Sequence, residues 1–184
     1  GAYLAEHLEG VKATGGKDVL KQFDEAKKFG ENSKEQNYWG TVSYDVPAEI
    51  VNEDNYHAAK LSYDGKQQTK TYSSLSYLLD LVEMSTQKFY LLEFDYKLEN
   101  EDSDIVTVAF IGRENKPDFE IDLLTAKVGL NQTKGYNRNV YNYEIKEKED
   151  GWRSCCLIFK PDIGKLRKSV FFRVIFKYLP SLES

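Results

Sequence analysis

Aromatic rings and planar polar side chains recur together through the second half of the chain. Tyr141, Asn142 and Tyr143 follow one another, and Tyr136, Asn137 and Arg138 stand just before them. Asp95 and Glu93 interrupt an apolar stretch, Arg113 ends another, and Arg173 breaks a third, VFFRVIF. An aromatic ring stacks on the apolar face of a pyranose, and carboxamides, carboxylates and guanidinium groups pair with its hydroxyls. With 14% aromatic residues, most Tyr must still serve core or rim. Arg173 also has a structural alternative, an ion pair with Asp95 or Glu93 across a sheet.

The sequence offers little for covalent chemistry. The two histidines, His7 and His57, lie near no nucleophile motif, and neither GxSxG nor HExxH occurs. Acidic residues number 30, so paired carboxylates are inevitable and do not define a glycosidase dyad. No Cys and His spacing suits zinc. Gly15-Gly16-Lys17 lacks the upstream glycine of a phosphate loop. Glu101, Asp102 and Asp104 lack the glycine and distal glutamate of a hand-type calcium loop and read as a solvated turn.

The elements that must carry these side chains read as strands. In Phe89–Asn100, FYLLEFDYKLEN, residues Tyr90, Leu92, Phe94, Tyr96 and Leu98 share one parity, and Glu93, Asp95, Lys97 and Glu99 the other. That period of two predicts a strand with one buried face. The acidic run after it reads as a hairpin tip leading into IVTVAFIG. Further strands are predicted around 38–46, 58–64, 118–124, 140–146, 152–160 and 170–178, and over TYSSLSYLLDLVEM, where a helix also fits. Val19, Leu20, Phe23, Ala26 and Phe29 fit either a helix or a short strand, and YLAEHLEG near the start a short helix.

Eight to ten strands joined mostly by turns predict an all-β fold: an antiparallel two-sheet β-sandwich, or jelly roll, over residues 21–180. Residues 1–20 are expected to be a leader or linker and 181–184 a tail. The net charge of −5 and the pI near 5.2 argue against nucleic acid as partner, and no apolar run approaches a membrane span. Cys155 and Cys156 are adjacent and would point to opposite faces of a strand, so the fold is expected to stand without a disulfide.

Phe23-Asp24 is followed by the aromatic opener Tyr38-Trp39, the AAKLSYDG segment, and FYLLEFDYKL. Gly151-Trp152 then opens a strand ending in Phe159-Lys160-Pro161, and VFFRVIF closes the series. The order of these segments resembles the jelly-roll carbohydrate-binding modules of bacterial glycoside hydrolases, which belong to the galactose-binding-like group. The resemblance implies a non-catalytic, secreted or cell-surface module, monomeric within a larger chain, with a carbohydrate as ligand. The residues expected to bind it are Trp39, Asp95, Arg113, Tyr141, Asn142, Tyr143 and Arg173. Many relatives hold a structural calcium between an early acidic residue and an Asp of the last strand. Here Asp24 has no such partner in FKYLP, so no cofactor is expected. Two other readings stay open: a structural or protein-interaction spacer, and a small polysaccharide-degrading enzyme.

Overall fold

A computed structural model describes residues 1–5, 39–40, 45–63, 72–79, 88–113, 120–129, 140–160 and 171–179; for 39–40, 77–79, 113, 120–123, 171–172 and 179 it describes the backbone only. These residues form twelve strands: β1 (Ala2–Ala5), β2 (Trp39–Gly40), β3 (Val46–Pro47), β4 (Glu49–Glu53), β5 (Tyr56–Leu61), β6 (Ser73–Leu79), β7 (Tyr90–Leu98), β8 (Ile105–Arg113), β9 (Glu120–Val128), β10 (Val140–Glu147), β11 (Trp152–Phe159) and β12 (Phe171–Leu179). They make two sheets. Sheet A runs β10-β11-β7-β1-β5-β4, and sheet B runs β2-β6-β12-β8-β9. Every pairing is antiparallel except that of β3, which joins β6 in parallel. The fold is the expected all-β two-sheet sandwich, jelly-roll-like in the way the chain passes from sheet to sheet.

The alternation in the sequence is the alternation in the sandwich. Leu92, Phe94, Tyr96 and Leu98 of β7 face Val174, Phe176 and Tyr178 of β12 in one core shared by both sheets. The Phe94 and Phe176 rings meet edge to face at 5.0 Å. Val106, Val108 and Phe110 of β8, Leu124, Ala126 and Val128 of β9, and Cys155, Leu157 and Phe159 of β11 complete that core. Removing such side chains from water is the main favourable contribution to a fold that has no disulfide: both cysteines are free thiols.

Two expectations are corrected. Residues 2–5 are not a leader helix. They form β1, in the middle of sheet A between β5 and β7, with all four side chains buried. Both faces of β1 are covered, so its sequence, AYLA, shows no alternation. The Glu99–Asp104 turn is also no hairpin tip. β7 pairs with β1 and β11, whereas β8 pairs with β12 and β9, so the turn is a corner between the sheets. Asp104 is buried there: it accepts the Asn100 backbone N–H at 2.8 Å and the Tyr178 hydroxyl at 2.7 Å. Gly129 packs so closely on this corner that a Cβ would stand 2.3 Å from the Asp104 carbonyl oxygen, and its φ is +103°.

The helix-or-strand segment at 19–29, Asp24, and the 130–138 loop with Tyr136, Asn137 and Arg138 lie outside the described residues. Over 73–79 the chain is a strand, as the parity of Leu75, Tyr77 and Leu79 favours.

Candidate functional site

Four of the expected ligand residues, Asp95, Tyr141, Asn142 and Tyr143, lie on sheet A. The other three, Trp39, Arg113 and Arg173, lie on sheet B. Trp39 pairs through its backbone with Tyr77 in β2–β6, and Arg113 ends β8 opposite Phe171 and Glu120. Arg173 alternates with core residues Val174 and Phe176, so it sits half-buried on the outer face of sheet B. An ion pair of Arg173 with Asp95 or Glu93 within one sheet is therefore ruled out: their strands belong to different sheets.

Sheet A has an outer face, turned away from sheet B, and that face is divided. One half is closed by a second cluster made of Tyr3, Ala5, Tyr56, Ala58 and Trp152, with Val51 against it. The Tyr56 and Trp152 rings stack at 3.8 Å and 19°. They come from β5 and β11, and two strands, β1 and β7, lie between; Ala5 and Ala58 are small enough to let the rings lie over the sheet.

Asp95 lies in this half, with 0% of its surface exposed. Its carboxylate accepts the Ser154 hydroxyl at 2.6 Å and the Tyr56 hydroxyl at 2.7 Å, and it pairs with the Lys148 ammonium at 3.0 Å. A buried carboxylate is tolerated only when so satisfied. Burial pulls the Lys148 pKa down, but the hydrogen bond and charge of Asp95 outweigh it, and the ammonium is held above its ordinary value. Burial, then the hydrogen bond to Asp95, push Tyr56 up to about 12. Asp95 thus anchors three strands and the turn before β11.

The other half of the outer face is open. Tyr141 is 73% exposed and Phe89 52%, and their rings meet at 4.8 Å with a 54° tilt. A bulge between Val140 and Asn142 sets Tyr141 there: Val140 pairs with Phe159 and Asn142 with Ile158, leaving Tyr141 as the extra residue. Asn142, Ile158 and Leu91 form one cross-strand row beside the rings, and Glu144, Cys156 and Glu93 the next. Lys160 stands 5.5 Å from the centre of the Phe89 ring. Asn142 is exposed, its Oδ1 accepting the Tyr143 N–H at 2.9 Å. Tyr143 points the other way and packs half-buried against the core. Burial, then the charge of Glu93, push the half-buried Cys156 thiol up to about 11, so it stays protonated at neutral pH and is a poor nucleophile.

The open half therefore offers exposed rings, a carboxamide, two carboxylates and an ammonium on a strand scaffold. The closed half contains the richer polar cluster, and sequence reading missed all of it except Asp95. Its signal was Trp152, which falls on the polar parity of β11 with Ser154 and Cys156. Among the described residues, no group of three or more His, Cys, Asp and Glu side chains is placed to hold a metal ion, and no helix is long and apolar enough to cross a membrane. No family model, curated protein or solved structure matches the chain.

Proposed function

We propose that this is a non-catalytic carbohydrate-binding module, carried on a secreted or cell-surface bacterial glycoside hydrolase, and that the open half of the sheet A outer face is where the sugar binds. The observation that carries this reading is the Tyr141–Phe89 pair. A strand bulge leaves Tyr141 73% exposed beside the half-exposed Phe89 ring, and covering such rings is the usual reward of binding a flat apolar ligand. Asn142, Glu93 and Glu144 supply donors and acceptors for hydroxyl groups on the same face. The strands fix these groups before ligand arrives, so little conformational entropy is lost on binding.

Affinity electrophoresis through gels containing soluble glucans, xylans, galactans and pectins tests the reading. The wild-type protein is retarded by at least one, and Tyr141→Ala and Phe89→Ala each abolish most of the retardation while far-UV circular dichroism is unchanged. Passage through every gel at the speed of a non-binding control rejects the reading. Leu91, 41% exposed beside these rings, gives a second reading some support: the same patch could be a contact surface for a neighbouring protein domain, as in a structural spacer. Unretarded migration together with concentration-dependent association lost in Tyr141→Ala would favour that alternative.

A further inference from the structure

β10 ends sheet A on one side. Among the described strands it pairs with β11 alone, so one row of its backbone N–H and C=O groups points outward. The core is also less well covered there. Val140, Tyr143 and Ile145 face the core yet stay half-buried, whereas Cys155, Leu157 and Phe159 of the neighbouring β11 are at most 4% exposed. An edge need not be so: β9 ends sheet B, and its core-facing Leu124, Ala126 and Val128 are 0% exposed. On the outer face of β10, Glu144 and Lys146 are 66% and 67% exposed and pair along the strand at 3.5 Å. The stretch available for pairing is bounded. The bulge between Val140 and Asn142 lies before it, and the single helical turn Glu149–Gly151 lies after it.

We propose that a second copy of this chain adds to sheet A at this margin, β10 against β10 in an antiparallel register centred on Ile145, to make a two-fold dimer. Charge selects both the occupant and the register. Centred on Ile145, Glu144 meets the partner's Lys146, and Lys146 meets the partner's Glu144. Opposite charges directly across a strand pair attract. Centring on Glu144 or on Lys146 instead sets like charges face to face, and centring on Tyr143 joins no opposite charges. A two-fold contact must be self-complementary, and the segment YEIKE is. β4, at the other end of sheet A, is not: antiparallel self-pairing of EIVNE about Val51 sets Glu49 against Glu53, with no cation in the strand. The added strand satisfies the outward backbone groups of β10 and covers the flank of Tyr143 and Ile145. A two-fold axis normal to the sheet keeps both outer faces on one side, so the two Tyr141–Phe89 patches turn the same way. The dimer does not depend on what those patches bind.

Sedimentation equilibrium of the full chain, across the micromolar to millimolar range, tests the proposal. The wild-type mass rises with concentration from 21.2 kDa toward twice that value, and rises less readily in high salt. Glu144→Lys and Lys146→Glu each turn two attractions into two repulsions and weaken association about tenfold or more. Both positions are exposed, so far-UV circular dichroism is unchanged. An equimolar mixture of the two variants restores association to the wild-type level, because each chain then meets the charges it lacks. The backbone amides of residues 143–147 exchange more slowly in concentrated than in dilute wild-type protein. A wild type that keeps the mass of one chain at every concentration, association that either reversal leaves intact, or reversals that the mixture fails to rescue overturns the proposal. Association lost in Tyr141→Ala but kept in both reversals places the contact on the open half of the outer face and overturns it too.

Discussion

Replacing Asp95 removes the acceptor of three donors at once. In Asp95→Ala the Ser154 and Tyr56 hydroxyls lose bonds of 2.6 and 2.7 Å, and the Lys148 ammonium loses a counter-ion at 3.0 Å. Stranding one partner of a buried ion pair costs about 3–5 kcal/mol. Each buried hydroxyl left without a partner adds about 1–3 kcal/mol when it cannot turn to another. Two effects reduce the sum: the Lys148 side chain is 19% exposed and can swing toward water, and Tyr56 keeps its stack on Trp152. The expected loss is about 4 kcal/mol, which for a chain of this size lowers the melting temperature by about 8–16 °C. Asp95→Asn keeps one acceptor but turns an NH2 toward donors, so it loses about half as much. Urea denaturation followed by far-UV circular dichroism measures both. Lys148→Met in the Asp95→Ala background should recover part of the loss, because it removes the stranded charge. A loss under about 1 kcal/mol for Asp95→Ala, or no recovery in the double variant, refutes the view that this carboxylate anchors the outer-face cluster.

Two further outcomes follow from the geometry. Gly129→Ala forces a side chain into a left-handed backbone and onto the Asp104 carbonyl oxygen, and should cost about 2–4 kcal/mol in the same urea assay. Stability should also fall at alkaline pH. Burial raises Cys155 from an ordinary 9.0 to about 12 and Cys156 to about 11, and Tyr56 and Tyr96 rise from 10.0 to about 12. The folded chain holds these protons more tightly than the unfolded one, so their contribution is complete below about pH 9 and is lost as pH climbs toward 12. The urea midpoint should decline from about pH 9, and Cys155→Ala should flatten the first part of that decline.

Strands with one wet face were legible in the sequence, because alternation records a difference between faces. β7, β11 and β12 show it, although β7 pairs with β1 and β11 and not with β8 as its following turn suggested. β1 was hidden for the opposite reason: Tyr3 and Ala5 face the outer cluster while Ala2 and Leu4 face the core, so every residue is buried and no period survives. β4 was hidden because it is a short edge strand with no fully buried residue. The Glu99–Asp104 turn was misread because hairpins and sheet-to-sheet corners use the same turn residues; partners far along the chain decide between them. The position of Asp95 on the polar parity of β7 was legible, but its partners were not. Tyr56, Lys148 and Ser154 lie 39, 53 and 59 positions away, and nothing local links them. Tyr141 was picked out as a candidate, but the bulge that swings it outward depends on pairing with β11, which composition does not encode.

The placement of β1 and β12 governs how this chain can assemble. The first of the described strands joins β5 to β7 in the middle of sheet A, and the last joins β6 to β8 in the middle of sheet B. During synthesis β6 and β8 emerge with a strand-wide gap between them, filled only once residues 171–179 have left the ribosome. Shortening the polypeptide from that side would split a sheet through its centre rather than fray its margin, and the halves left behind would present unpaired backbone to one another and to other chains.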